Sequence, residues 1–154
     1  MKKLKVAFLT SGGIAPCLTS SIGSLIKEYS EYSTSIEFIG YRYGYKGLLL
    51  GQSIELPGSI ENINNFYDFG GTILGNSRVK LTNTEDCIAK GYISKNQTAL
   101  EVAAKQLVED KVDVLHTIGG DDTNSTANDL VNFLKENNYD LTIVGLPKTI
   151  DNDV

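Results

Sequence analysis

Long hydrophobic runs, clustered basic residues and paired cysteines are all missing from this chain of 154 residues. No apolar run approaches the roughly 20 residues of a membrane-spanning helix, so no membrane partner is expected. Net charge is −5 and no Lys/Arg cluster offsets it, which argues against nucleic acid as a partner. The two cysteines, Cys17 and Cys87, stand in unlike contexts and form no spaced pair. They imply neither a metal site nor a disulfide, and a reduced, cytoplasmic setting is expected. The chain also lacks the dinucleotide fingerprint G-x-G-x-x-G and the P-loop pattern G-x-x-x-x-G-K-[ST]. There is no repeat, no low-complexity tract and no linker. The single histidine, His116, lies inside an apolar run, where a structural role is expected ahead of a general base.

What is present is enough for one ordinary globular domain: 41% hydrophobic and 21% charged residues. The N-terminal MKKLKVAFLTSGG combines basic and apolar residues. Its apolar run is short and no A-x-A-like site follows, so Leu4–Thr10 reads as a strand. Leu18, Ile22, Leu25, Ile26 and Tyr29 recur at helical spacing, and 36–40 is the next strand. Residues 41–51 read as an aromatic, glycine-punctuated loop, and 52–81 show no clear period. Thr98 and Glu101 form a capping-box pattern ahead of the stripe Leu100, Ala103, Ala104, Leu107 and Val108. A strand at 112–118 ends in Gly119-Gly120-Asp121-Asp122. Thr123 or Asn124 is expected to cap the helix whose stripe is Ala127, Leu130, Val131 and Leu134. Residues 141–144 read as a buried strand ended by Pro147. The alternation predicts an α/β fold, an open, mostly parallel doubly wound sheet with helices on both faces.

Three of these strands end in glycine-bearing loops: TSGGIAP (10–16), IGGDDTN (118–124) and GLPKTIDND (145–153). Each alone reads as a tight turn. At three strand ends of one sheet they are expected to converge on one crevice, where bare backbone and helix N-termini suit phosphate oxygens. Asp151 and Asp153, two apart, point the same way in an extended segment and suit a proton-abstracting base plus a partner for a metal ion or donor. An Asx-turn is the competing reading of TIDND. Against the acidic background a phosphate-bearing substrate needs local cations, and Arg78 and Lys148 stand out.

The motifs SGGxxP, GGTxLGxxR (Gly70–Arg78), GGDD and PKTIDND, in that order, resemble the phosphofructokinase family, most closely its pyrophosphate-dependent branch. The resemblance spans nearly the whole chain but only the N-terminal portion of a family chain. It implies phosphoryl transfer from pyrophosphate to the 1-hydroxyl of fructose 6-phosphate, reversible and glycolytic, with Mg²⁺. It also implies a homo-oligomer when full length. By position, Asp121 would hold Mg²⁺, and Gly13, Arg78 and Lys148 would meet the donor. Thr149, Ile150 and Asp151 would contact the sugar phosphate, with Asp151 as the base and Asp153 in support.

In the ATP-using branch, the positions of Asp122 and Lys148 are commonly glycine. The Asp122 carboxylate would repel an α-phosphate and the Lys148 ammonium would pair with pyrophosphate, so both are expected to take part in catalysis and donor choice. Two residues depart from the family pattern. Ile14 stands where many relatives have aspartate, and Cys17 where many have glycine; Cys17 is expected to be a small packed residue. Tyr41, Tyr43 and Tyr45 are expected to pack in core and surface rather than stack on a base. The alternatives are an ATP-dependent 6-phosphofructokinase and a non-catalytic phosphate- or nucleotide-binding module. Residues 1–154 are expected to be the donor-phosphate-binding N-terminal domain of a longer protein, with the second domain absent and the chain inactive by itself.

Overall fold

The computed structural model describes residues 3–149, with only the backbone described at Ile60 and Glu61. Ile150, Asp151 and Asp153 therefore lie outside the described residues. A five-stranded sheet of order β3-β2-β1-β4-β5 forms the frame. Its strands are β1 (Leu4–Thr10), β2 (Ile36–Tyr41), β3 (Ser53–Leu56), β4 (Val114–Gly119) and β5 (Thr142–Pro147). All neighbours are parallel except β3, which runs antiparallel to β2.

Alternation along the strands divides the core in two. Val6, Phe8, Phe38 and Ile118 face the helices α1 (Leu18–Tyr32) and α3 (Ile60–Tyr67). Ala7, Leu9, Ile39, Tyr41 and Leu115 face the other side, under α2 (Tyr45–Leu49), α5 (Ala99–Glu109) and α6 (Asp121–Glu136). Helices thus cover both faces, as the strand–helix alternation predicts. Burial follows the period of two because successive strand side chains point to opposite faces. The short helix α4 (Thr84–Ala89) is capped by the Asn83 side chain, which accepts from the Asp86 N–H.

Several local readings hold. Thr98 caps α5 by accepting from the Glu101 N–H at 3.2 Å. Tyr41 and Tyr45 are fully buried and Tyr43 is exposed, a packing arrangement.

Others need correction. Gly120, not Thr123 or Asn124, is the N-cap of α6; Asn124 instead turns its amide back onto the Gly119 and Gly120 carbonyls. Residues 41–51 contain α2, and 52–81 contain β3 and α3. Cys17 is exposed rather than packed, because it caps α1 at the surface with Leu18 beneath it. β5 is not buried: it is an edge strand with Thr142, Val144, Gly145 and Pro147 exposed. Pro147 does not end the pairing either. It sits opposite Gly119 and the Lys148 N–H donates to the Gly119 carbonyl at 2.8 Å, which an edge position permits.

Among the described residues, no helix is long and apolar enough to cross a membrane.

Candidate functional site

Strand order reverses between β1 and β4: from β1 the chain goes outward to β2, and later returns to lay β4 on the other side. Loops at such a reversal diverge and leave a crevice at the strands' C-terminal ends. Here the crevice is a cleft of about 380 Å³ lined by Ser11, Gly12 and Gly13 after β1, Gly120 to Thr123 after β4, and 78–80.

The loops are tied to one another by backbone. The Ser11 N–H donates to the Ile118 carbonyl at 3.0 Å, and the Gly12 N–H to Ser77 O at 2.9 Å. Ser11 Oγ also donates to Ser77 O at 2.9 Å, and Asn76 Nδ2 to both Gly12 O and Gly13 O at 3.1 Å. Gly12 has φ of 77°, a left-handed conformation that a side chain resists. Gly119 is needed for space: a Cβ there would sit 2.6 Å from the Ser11 carbonyl oxygen and press into Thr123. Backbones of β1 and β4 can approach this closely only without that atom.

Lys148 joins the third loop to the first. Its backbone is held on β4 and its Nζ donates to the Gly13 carbonyl at 2.6 Å. Asp121 and Asp122 occupy the first turn of α6, where carboxylates complement the helix dipole. Both are exposed to the cleft. Asp122 Oδ1 lies 2.8 Å from Lys80 Nζ in an open ion pair, with side chains 75% and 47% exposed. Arg78 and Lys80 lie exposed on either side of buried Val79, which anchors the segment in the core. Tyr45 supports the floor by donating its hydroxyl to the Thr123 carbonyl at 2.8 Å, and burial pushes its pKa up.

Gly13, Arg78, Asp121, Asp122 and Lys148 are therefore brought to one place from four parts of the chain. Thr149 follows Lys148 directly and is half-buried. Lys80 was not singled out in the sequence. Its signal was available: in Arg-Val-Lys an extended backbone puts both cations on one side. Ser77 and Asn76 gave no signal, since their work is done on a loop remote in sequence: the Ser77 carbonyl accepts from the Gly12 N–H and the Ser11 hydroxyl, and the Asn76 amide donates to the Gly12 and Gly13 carbonyls.

The phosphofructokinase family model matches residues 5–154. The chain belongs to the phosphofructokinase family. It is 61% identical over 154 residues to the pyrophosphate–fructose 6-phosphate 1-phosphotransferase of Methylotuvimicrobium alcaliphilum, covering 99% of this chain and 38% of that one. It is 57% identical to the enzyme of the same name from Methylomonas methanica, again covering 99% and 38%. The T-state crystal structure of Pichia pastoris phosphofructokinase superimposes with a TM-score of 0.78 at 26% identity, covering 99% of this chain and 16% of that one. This phosphofructokinase chain thus spans about 38% of the length of the curated relatives it matches.

Proposed function

We propose that residues 1–154 are the donor-phosphate-binding N-terminal domain of a pyrophosphate-dependent 6-phosphofructokinase, whose second domain completes the sugar-phosphate pocket. The observation that carries this reading is the meeting of Asp122, Lys148 and Gly13 at one crevice, with Lys148 Nζ 2.6 Å from the Gly13 carbonyl. The names of the relatives at 61% and 57% identity point to the same donor and acceptor.

Phosphoryl transfer asks the protein for positioning and charge rather than covalent work. Bare Gly12 and Gly13 admit the donor phosphates close to backbone, and Arg78 and Lys148 neutralise them. The Asp122 carboxylate occupies the ground an α-phosphate would need, which disfavours ATP. Thr149 and Ile150 contact the sugar phosphate. Asp151, with Asp153 orienting the groups around it, accepts the proton of the fructose 6-phosphate 1-hydroxyl. The freed oxygen bonds to the terminal phosphorus of pyrophosphate as the bridging P–O bond breaks. Phosphate leaves and fructose 1,6-bisphosphate forms, reversibly. Mg²⁺ suits this cleft, because it binds through one or two carboxylates together with phosphate oxygens, and Asp121 supplies an exposed carboxylate at the rim. When bound, it neutralises charge on the phosphates being transferred. The reading carries with it a cytoplasmic glycolytic enzyme that is a homo-oligomer at full length.

Assay of the full-length protein with fructose 6-phosphate and Mg²⁺ tests this directly. Turnover with pyrophosphate and none with ATP is expected; the reverse preference overturns the donor assignment. Asp151→Asn should lower kcat by on the order of 10²–10⁴. Normal turnover in that variant removes Asp151 as the base.

A further inference from the structure

The ion pair across the cleft suggests how an acidic side chain can exclude one polyanion while admitting another. We propose that Lys80 is a positioning residue for donor specificity: it clamps and partly neutralises Asp122, so that the carboxylate blocks a nucleotide while repelling pyrophosphate less. This rests on the pyrophosphate reading above.

Lys80 is well placed to be a fixed clamp. Val79 and Leu81 on either side of it are buried, at 7% and 1% exposure. Its carbonyl accepts from the Asn83 N–H at 3.2 Å and from the Cys87 thiol at 3.7 Å. The backbone is therefore held while the side chain reaches 42 residues along the chain to Asp122. Asp122 itself is exposed on the first turn of α6, and among the described residues Lys80 is the cation paired with it. Without Lys80 the carboxylate turns freely and adds an uncompensated negative charge to a cleft that also holds Asp121. Such a charge opposes any phosphate donor. With Lys80 in place, the charge at Asp122 is partly offset and its Oδ1 is directed at the ammonium, while its bulk remains.

The test is a double-mutant cycle in the full-length protein, read as steady-state kinetics with pyrophosphate and with ATP. Lys80→Gln should raise KM for pyrophosphate about tenfold while kcat changes less than about threefold, the pattern of lost ground-state binding. Lys80→Arg should restore KM to within about threefold, since the guanidinium also pairs with carboxylate. In an Asp122→Asn background, Lys80→Gln should add less than about threefold, because there is no longer a charge to clamp. An equal effect of Lys80→Gln in both backgrounds overturns the proposal, as Lys80 then acts on the donor itself. An unchanged KM in Lys80→Gln overturns it too, and so does failure of that variant to fold, which would make Lys80 structural. If the unaltered protein uses ATP and not pyrophosphate, the functional reading and this inference fall together. Pyrophosphate use with independent effects removes the inference alone.

Discussion

Two parts of β4, three residues apart, solve the problem of a titratable side chain in opposite ways. Mid-strand, His116 is 4% exposed, stacked on Phe8 at 5.3 Å and joined to the Tyr29 hydroxyl at 2.9 Å. Burial pushes its pKa from the ordinary 6.5 down to about 4, so the imidazole stays neutral. At the strand's end, Gly119 and Gly120 hand the chain to a helix whose first two residues are exposed aspartates. There the charges stay in water and meet a cation, a dipole and a cleft. A charge inside the sheet would have to be given up, because desolvation disfavours it. The exposed charges therefore stand beyond the strand end, and the strand interior contributes rigidity.

Substitutions at the two places should separate activity from stability. The largest effect belongs to the strand end. In the full-length protein, Asp121→Asn should cut kcat by at least on the order of a hundredfold and raise the Mg²⁺ requirement, with thermal stability nearly unchanged. A large drop in melting temperature with modest loss of turnover would break the contrast. Next comes Gly119→Ala, whose Cβ meets the Ser11 carbonyl at 2.6 Å. Overpacking of this kind costs about 1–3 kcal/mol, measurable by urea denaturation, and the displaced loop should weaken donor binding as well.

His116 sharpens the other side. Its folded pKa of about 4 lies below the ordinary 6.5. As pH falls through that window the unfolded chain takes up a proton that the folded protein refuses. Stability from this group is thus complete above pH 6.5 and declines until about pH 4. His116→Gln should flatten that part of the stability–pH curve, measured by denaturant midpoints at several pH values. A curve of unchanged slope would show that the imidazole is not what titrates. The smallest effect is Tyr29→Phe, which removes the hydroxyl from His116 and should cost about 1 kcal/mol with normal turnover.

The central frame was legible because its signals are local and periodic. β1, α1, β2, α5, β4 and α6 each carry their own apolar period, and Thr98 announces its cap two ways, by residue type and by Glu101. The regions that escaped have no such period. β3 is four residues long with only Leu56 buried, and α2 is five residues inside a glycine-punctuated segment. β5 looked like a buried strand because its residues are apolar, yet whether an apolar strand is central or at an edge depends on what pairs with it. Cys17 misled for a similar reason: small residues prefer the interior on average, but a helix cap with Leu18 pointing inward leaves Cys17 outside.

For the site, Gly13, Arg78, Asp121, Asp122, Lys148 and Thr149 were named by residue type and motif, and the first five come together around one cleft and the residue bridging it. Lys80 and the Ser77–Asn76 scaffold were not, since their significance is pairwise: Lys80 matters through a carboxylate 42 positions away.

The sequence by itself determined the layered α/β class, the family, and which residues bear charge beside glycine, because periodicity and motif spacing are written along the chain. Only the tertiary structure decided that Lys80 faces Asp122, that Lys148 reaches across to Gly13, and that β5 lies at an edge. Those are distances between segments far apart along the chain, set by sheet order and by which loops the strand reversal holds apart.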